Sequence, residues 1–127
     1  MLILVVEPQK APVVKEISDD LHQMQKLVDG FIEVLYPFED EVALVCNEEG
    51  KLMNLPPNRG LWDEHGDLYK IICGTFFLCG APSDSDSFTS LTPEQVETLK
   101  HRFASPEIFI GMDGHIVCLP VDEATFA

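Results

Sequence analysis

Residues Glu41–Gly80 read EVALVCNEEG KLMNLPPNRG LWDEHGDLYK IICGTFFLCG, and the punctuation of their apolar runs decides the fold. Glu41 to Cys46 has the β-branched, apolar character of a strand. Asn47-Glu48-Glu49-Gly50 has the residue types of a type I turn closed by a left-handed glycine, and Lys51 to Leu55 supplies a return strand. This predicts a hairpin with a bulge at its turn. Pro56-Pro57 lacks the N–H groups that a ladder needs, so the chain is expected to leave the sheet there and present Asn58-Arg59-Gly60 on a stiff loop. Leu61 and Trp62 then tuck back over the core, and Asp63 to Asp67 forms an acidic surface turn. Leu68 to Cys79 is a long apolar run whose central Gly74-Thr75 marks a bulge, a bend or a close approach by a ligand or backbone.

On the N-terminal side, Met1 to Val6 is apolar on both faces and fits a central strand. Val13, Val14 and Ile17 follow two prolines and suit extended chain over the core or at an edge. Ser18 as N-cap and Gly30 at the far end bracket an amphipathic helix whose Leu21, Met24, Leu27 and Val28 share one face. Phe31 to Tyr36 is a strand stopped by Pro37. On the C-terminal side, Gly80 to Ser90 is loop by composition, and Thr92-Pro93-Glu94-Gln95 opens a second helix with a capping box. Val96, Leu99 and Phe103 form its buried stripe, and Lys100, His101 and Arg102 suit its C-terminal end. Glu107 to Met112 and His115 to Leu119 are joined by Asp113-Gly114, the preferred pair for a tight type I′ hairpin. The class is therefore α+β: one domain over residues 1–127, with a mostly antiparallel twisted sheet of about six strands and both helices on one face of it.

Composition is that of a globular chain, with 46% hydrophobic and 24% charged residues. Charge is the unusual quantity: 22 acidic against 8 basic residues leave −14. Such a field repels phosphate backbones and excludes direct nucleic-acid binding through a basic patch, while it suits a basic protein partner. Cys46, Cys73, Cys79 and Cys118 each sit in an apolar run and read as reduced core thiols. The spacing gives no zinc site, because no close cysteine pair is matched by histidines. MLILVVEP has no basic leader and is too short to span a membrane, so a cytoplasmic protein is expected.

No local pattern carries catalysis. There is no G-x-S-x-G, P-loop, dinucleotide fingerprint or H-E-x-x-H, so the expectation is a non-enzymatic protein without cofactor or metal. The runs Asp63 to Asp67 and Asp84 to Asp86 lack the ligand count of a calcium loop. The segment LPPNRG is the remaining candidate. Arg59 beside Asn54 and Asn58 brings a planar guanidinium and two carboxamides, a kit for grasping phosphate or carboxylate. Its structural alternative has Asn58 capping its own turn and Arg59 tied to a nearby acid.

The phrases LVVEPQKAPVVKEI, YPFEDEVALVCNEEGK, NEEGKLMNLPPNRGL, YKIICGTFFLCG and LTPEQVETLKHRF together resemble a family of small proteins of unknown function found in phages and mobile elements of gut bacteria. Gly60 and Trp62 are small departures. The resemblance implies no catalytic or binding residue; it implies a genetic setting in which proteins often blunt host defence. Two functions follow as expectations. In the first, the chain mimics DNA and inhibits a basic host nuclease or effector through an acidic surface of Glu39, Asp40, Glu48, Glu49, Asp63, Glu64 and Asp67. In the second, it sequesters a small nucleotide, using Arg59, Asn58 and Asn54 with stacking by Tyr69 or Trp62.

Overall fold

A computed structural model describes residues 1–126. Three strands that are buried along almost their whole length form its centre: β1 (Leu2–Val6), β4 (Val42–Asn47) and β7 (Phe76–Gly80). Two shorter strands, β2 (Val13–Glu16) and β3 (Ile32–Leu35), close the edges, giving a five-stranded antiparallel sheet in the order β2-β1-β7-β4-β3. Successive side chains of a strand point to opposite faces. Here one face carries Ile3, Val5, Ala43, Val45, Phe77 and Cys79, and the other carries Leu4, Val6, Val42, Leu44, Phe76 and Leu78.

A sheet centre that is apolar on both faces must be covered on both. The helices are therefore divided between the faces, where one shared face was expected. Helix α1 (Leu21–Val28) sets Met24 and Val28 on the first face, and α2 (Pro93–Arg102) sets Val96 and Leu99 on the second. The capping box of α2 forms as read, with Thr92 Oγ1 accepting from Gln95 N and Gln95 Oε1 accepting from Thr92 N. Helix α1 starts later than Ser18: its N-cap is Asp20, which accepts from His22 N at 2.9 Å. Its left-handed C-terminal residue is Asp29 (φ 62°), one residue before Gly30.

The largest correction concerns the hairpin expected after β4. Lys51 to Leu55 forms no strand, because both flanks of β4 are already taken by β3 and β7. The turn residues serve another purpose. Asn47 Nδ2 donates to the carbonyls of Val28 (3.0 Å) and Asp29 (3.1 Å), and its Oδ1 accepts from Glu49 N (2.7 Å), so the segment after β4 ties down the end of α1.

The second correction follows from it. Pro57 to Trp62 forms strand β5, not a loop, and pairs with β6 (Leu68–Cys73) as a separate hairpin. A proline is tolerated at the first residue of a strand, and the ladder is bulged between Pro57 and Arg59. The β5–β6 hairpin lays Leu61 and Ile72 on the same sheet face as α2. The long apolar run is split at Gly74, whose φ of +84° reverses the chain between β6 and β7 and whose missing Cβ would stand 2.8 Å from Leu55 Cδ1. The last hairpin, β8 (Glu107–Met112) and β9 (His115–Pro120), forms as read. Asp113 (φ 49°) and Gly114 (φ 80°) supply its left-handed pair.

Phe77 is fully buried between β1 and β4. Phe77→Ala is expected to cost about 3–5 kcal/mol, and Thr92→Ala about 1 kcal/mol, both read from urea unfolding midpoints.

Candidate functional site

The fold disperses the residues of the LPPNR reading. Asn58 and Arg59 are 0% exposed. Asn58 Nδ2 donates to Val6 O and Gly74 O, both at 2.8 Å, which fastens β5 to the end of β1 and to the β6–β7 reversal. Arg59 Nη1 donates to Asn58 Oδ1 (2.8 Å), and Nη2 donates to Lys10 O (2.7 Å) and Phe103 O (3.1 Å). One guanidinium thus joins the segment between β1 and β2, strand β5 and the end of α2. Neither side chain can meet an external ligand, and neither follows the structural alternative as drawn: Asn58 bonds to distant carbonyls, and Arg59 is held by carbonyls with, among the described residues, no carboxylate within 4.0 Å.

The nearest compensation is Glu107, whose Oε1 accepts from Gly60 N at 3.0 Å. Gly60 is needed there: a Cβ would stand 2.7 Å from Leu68 Cδ1 and 3.3 Å from Cys118 Sγ. Burial lowers the Arg59 pKa while the charge of Glu107 opposes that shift, and burial raises the Glu107 pKa against the Gly60 N–H and the Arg59 charge.

Most of the remaining candidates fall around two separate concavities. The first, of about 400 Å³, holds Trp62 with Glu39, Asp40, Asp63 and Glu64 on its lining. Phe38 and Arg102 complete it, the guanidinium carbon lying 4.8 Å from the Phe38 ring centroid. Asp40 Oδ2 accepts from Gln95 Nε2 at 3.2 Å. Asp63 Oδ1 accepts from the backbone N–H groups of His65 and Asp67, both at 2.9 Å, so Asp67 belongs to the same turn. Trp62, at the end of β5, is 41% exposed. Chain order hides this grouping, because it draws on β5, α2 and the loop before β4.

The second concavity is a groove of about 1010 Å³ between the irregular segment after β4, strand β6 and the tip of the β8–β9 hairpin. Asn54 and Tyr69 line it, and so does Glu48; Glu49 lines a smaller hole beside Phe31 and Met53. The seven acids named from the sequence therefore do not share one concavity. Sequence reading missed the polar side of the groove, where Lys70 Nζ pairs with Glu33 Oε1 at 3.3 Å across 37 residues. Two thiols also line it. Burial, reinforced by Glu33, pushes Cys46 up to about 12, and burial raises Cys73 while Lys51 opposes it. Neither is poised as a nucleophile. Among the described residues no cluster of His, Cys, Asp and Glu suits a metal ion, and no helix is long and apolar enough to cross a membrane.

An acidic α+β domain with open surface concavities and its central arginine sealed inside is the class of protein that emerges. Residues 1–104 match a domain of unknown function, DUF3846, and the chain belongs to that family. The match stops short of the β8–β9 hairpin. No curated protein and no solved structure matches the chain.

Arg59→Ala leaves the Lys10 and Phe103 carbonyls without their donor and is expected to cost about 3 kcal/mol or more, measured by urea unfolding. Arg59→Lys recovers little of that, since an ammonium cannot fork between these acceptors. Glu107 sets a pH dependence. Its pKa is raised on folding above the ordinary 4.5, so the folded state holds more protons across the interval between the two values. Its contribution to stability therefore falls as pH rises through that window. In Glu107→Gln that dependence disappears, and the midpoint difference, variant minus parent, rises across the window and is level above it.

Proposed function

We propose that this chain is a non-enzymatic binding protein that engages a basic protein partner through the Trp62 concavity. The observation that carries the reading is the gathering of Glu39, Asp40, Asp63 and Glu64 around an exposed indole. An aromatic anchor within a charged rim is the common anatomy of a binding hot spot: the ring supplies desolvated contact area, and the rim sets orientation and encounter rate. The net charge of −14 draws cationic partners over a longer range.

The sequence resemblance supplies the biological setting. In a phage or mobile element, a protein of this kind serves as an anti-defence inhibitor. The partner is then a host nuclease or effector whose basic nucleic-acid channel accepts the carboxylates in place of phosphates. Glu48 and Glu49 lie outside this concavity, so the imitation of a phosphate array is confined to the Trp62 side and the adjoining turn at Asp67.

The test is a pull-down from host lysate at low and high salt, with the parent and with a Glu39→Lys, Glu64→Lys double variant. A basic nucleic-acid-binding protein is expected to be captured by the parent at low salt, released at high salt, and retained ~tenfold less by the double variant. Capture that is indifferent to both salt and charge reversal overturns the reading.

A further inference from the structure

The large groove has the make-up of a small-molecule site. Its volume of about 1010 Å³ lies at the top of the roughly 300–1,000 Å³ that ligand pockets occupy. Its walls are mainly apolar and stiff: Leu55, Pro56 and Pro57 stand on one side, and Leu68 and Ile116 are further lining residues. The segment that forms the first side is anchored to the floor. Gly74 N donates to Pro56 O at 2.8 Å, and Gly50 packs so closely that a Cβ would stand 2.6 Å from the Cys73 carbonyl oxygen. Tyr69, 53% exposed, offers an aromatic surface on the groove.

The polar groups of the groove are unequal. The Lys70 ammonium is engaged by Glu33. Lys51 also lines the groove, yet among the described residues it has no carboxylate within 4.0 Å. Lys15, Lys26 and Lys100 are likewise without one, but of these four lysines Lys51 is the one that lines the groove, with Glu48 as a further lining residue. The charge of Lys51 opposes the burial that raises the Cys73 thiol, another lining residue of the groove. Asn54, left-handed at φ 57°, adds a carboxamide to the same lining.

We infer that this groove binds a small planar aromatic molecule bearing one anionic group, of about mononucleotide size, with the ring on Tyr69 and the anion on Lys51 and Asn54. An ammonium and an amide donor are suited to a phosphate or carboxylate, and tyrosine stacks on any flat ring. The hairpin tip at Gly114, His115 and Ile116 forms part of the lining, and it lies beyond the residues that match the family. That tip therefore adjusts which ring is accepted. The groove shares no lining residue with the Trp62 concavity, so the two sites succeed or fail independently.

The probe is 1-naphthyl phosphate, with neutral 1-naphthol as its control, each titrated into the full chain and followed by amide chemical shifts. Saturable shifts are expected for 1-naphthyl phosphate, confined to residues 50–56, 68–73 and 114–116, with a Kd below ~1 mM. Lys51→Glu is expected to weaken the phosphate ~tenfold and leave naphthol unchanged, while Tyr69→Ala weakens both. Both positions are outside the buried core, and circular dichroism melts confirm that the variants fold. Shifts that are absent or fall elsewhere overturn the site. Naphthol binding as tightly as its phosphate overturns the role of Lys51.

Discussion

Everything in this molecule depends on three central strands that are apolar on both sides. β1, β7 and β4 leave no face that water can wet, so each side of the sheet has to find a lid. Helix α1 covers one side, with Ile17 and Phe88 packed against the same cluster. The other is covered by α2 together with the β5–β6 hairpin, an arrangement that places a helix end, a strand and the β1–β2 connection at one junction. Arg59 fills that junction. Its guanidinium donates to the buried carbonyl of Phe103 and the partly buried one of Lys10, and the asparagine before it does the same for Val6 and Gly74. The pair acts as backbone mortar between layers that make few ladder bonds with one another.

Those constraints explain what was legible in the sequence and what was not. Strands β1, β3 and β4, the cap of α2 and the Asp113-Gly114 hairpin are local in origin: periodicity, capping and turn chemistry specify them within a few residues, and each stands where it was read. The expected return strand at Lys51 to Leu55 failed for a non-local reason. A turn motif says nothing about whether the neighbouring ladder positions are vacant, and here β3 and β7 occupy them. Pro56-Pro57 misled in the opposite sense, because a strand may begin at a proline when the partner ladder needs no N–H there.

The site was legible in part for the same reason. Residue types at Asn58-Arg59 are those of an anion clamp, and only burial distinguishes a clamp from a structural brace. Trp62, Asn54 and Tyr69 do face concavities, though not the same one. What the chain order conceals is convergence. Glu39 and Glu64 line one concavity from separate loops, and Glu33 meets Lys70 across two different sheets. No spacing rule reaches contacts of that kind.

The sheet order also governs how the chain can be made. β1 is made well before its inner neighbour β7, whose residues are some seventy positions later. Until Phe76 to Gly80 emerge, β1 has only the short edge strand β2 beside it and shows an uncovered apolar surface. Closing so distant a pair is entropically slow, so the nascent domain passes through a long interval as a sticky, half-built sheet. Abundant carboxylates in its turns give growing chains a like charge that opposes their contact over that interval.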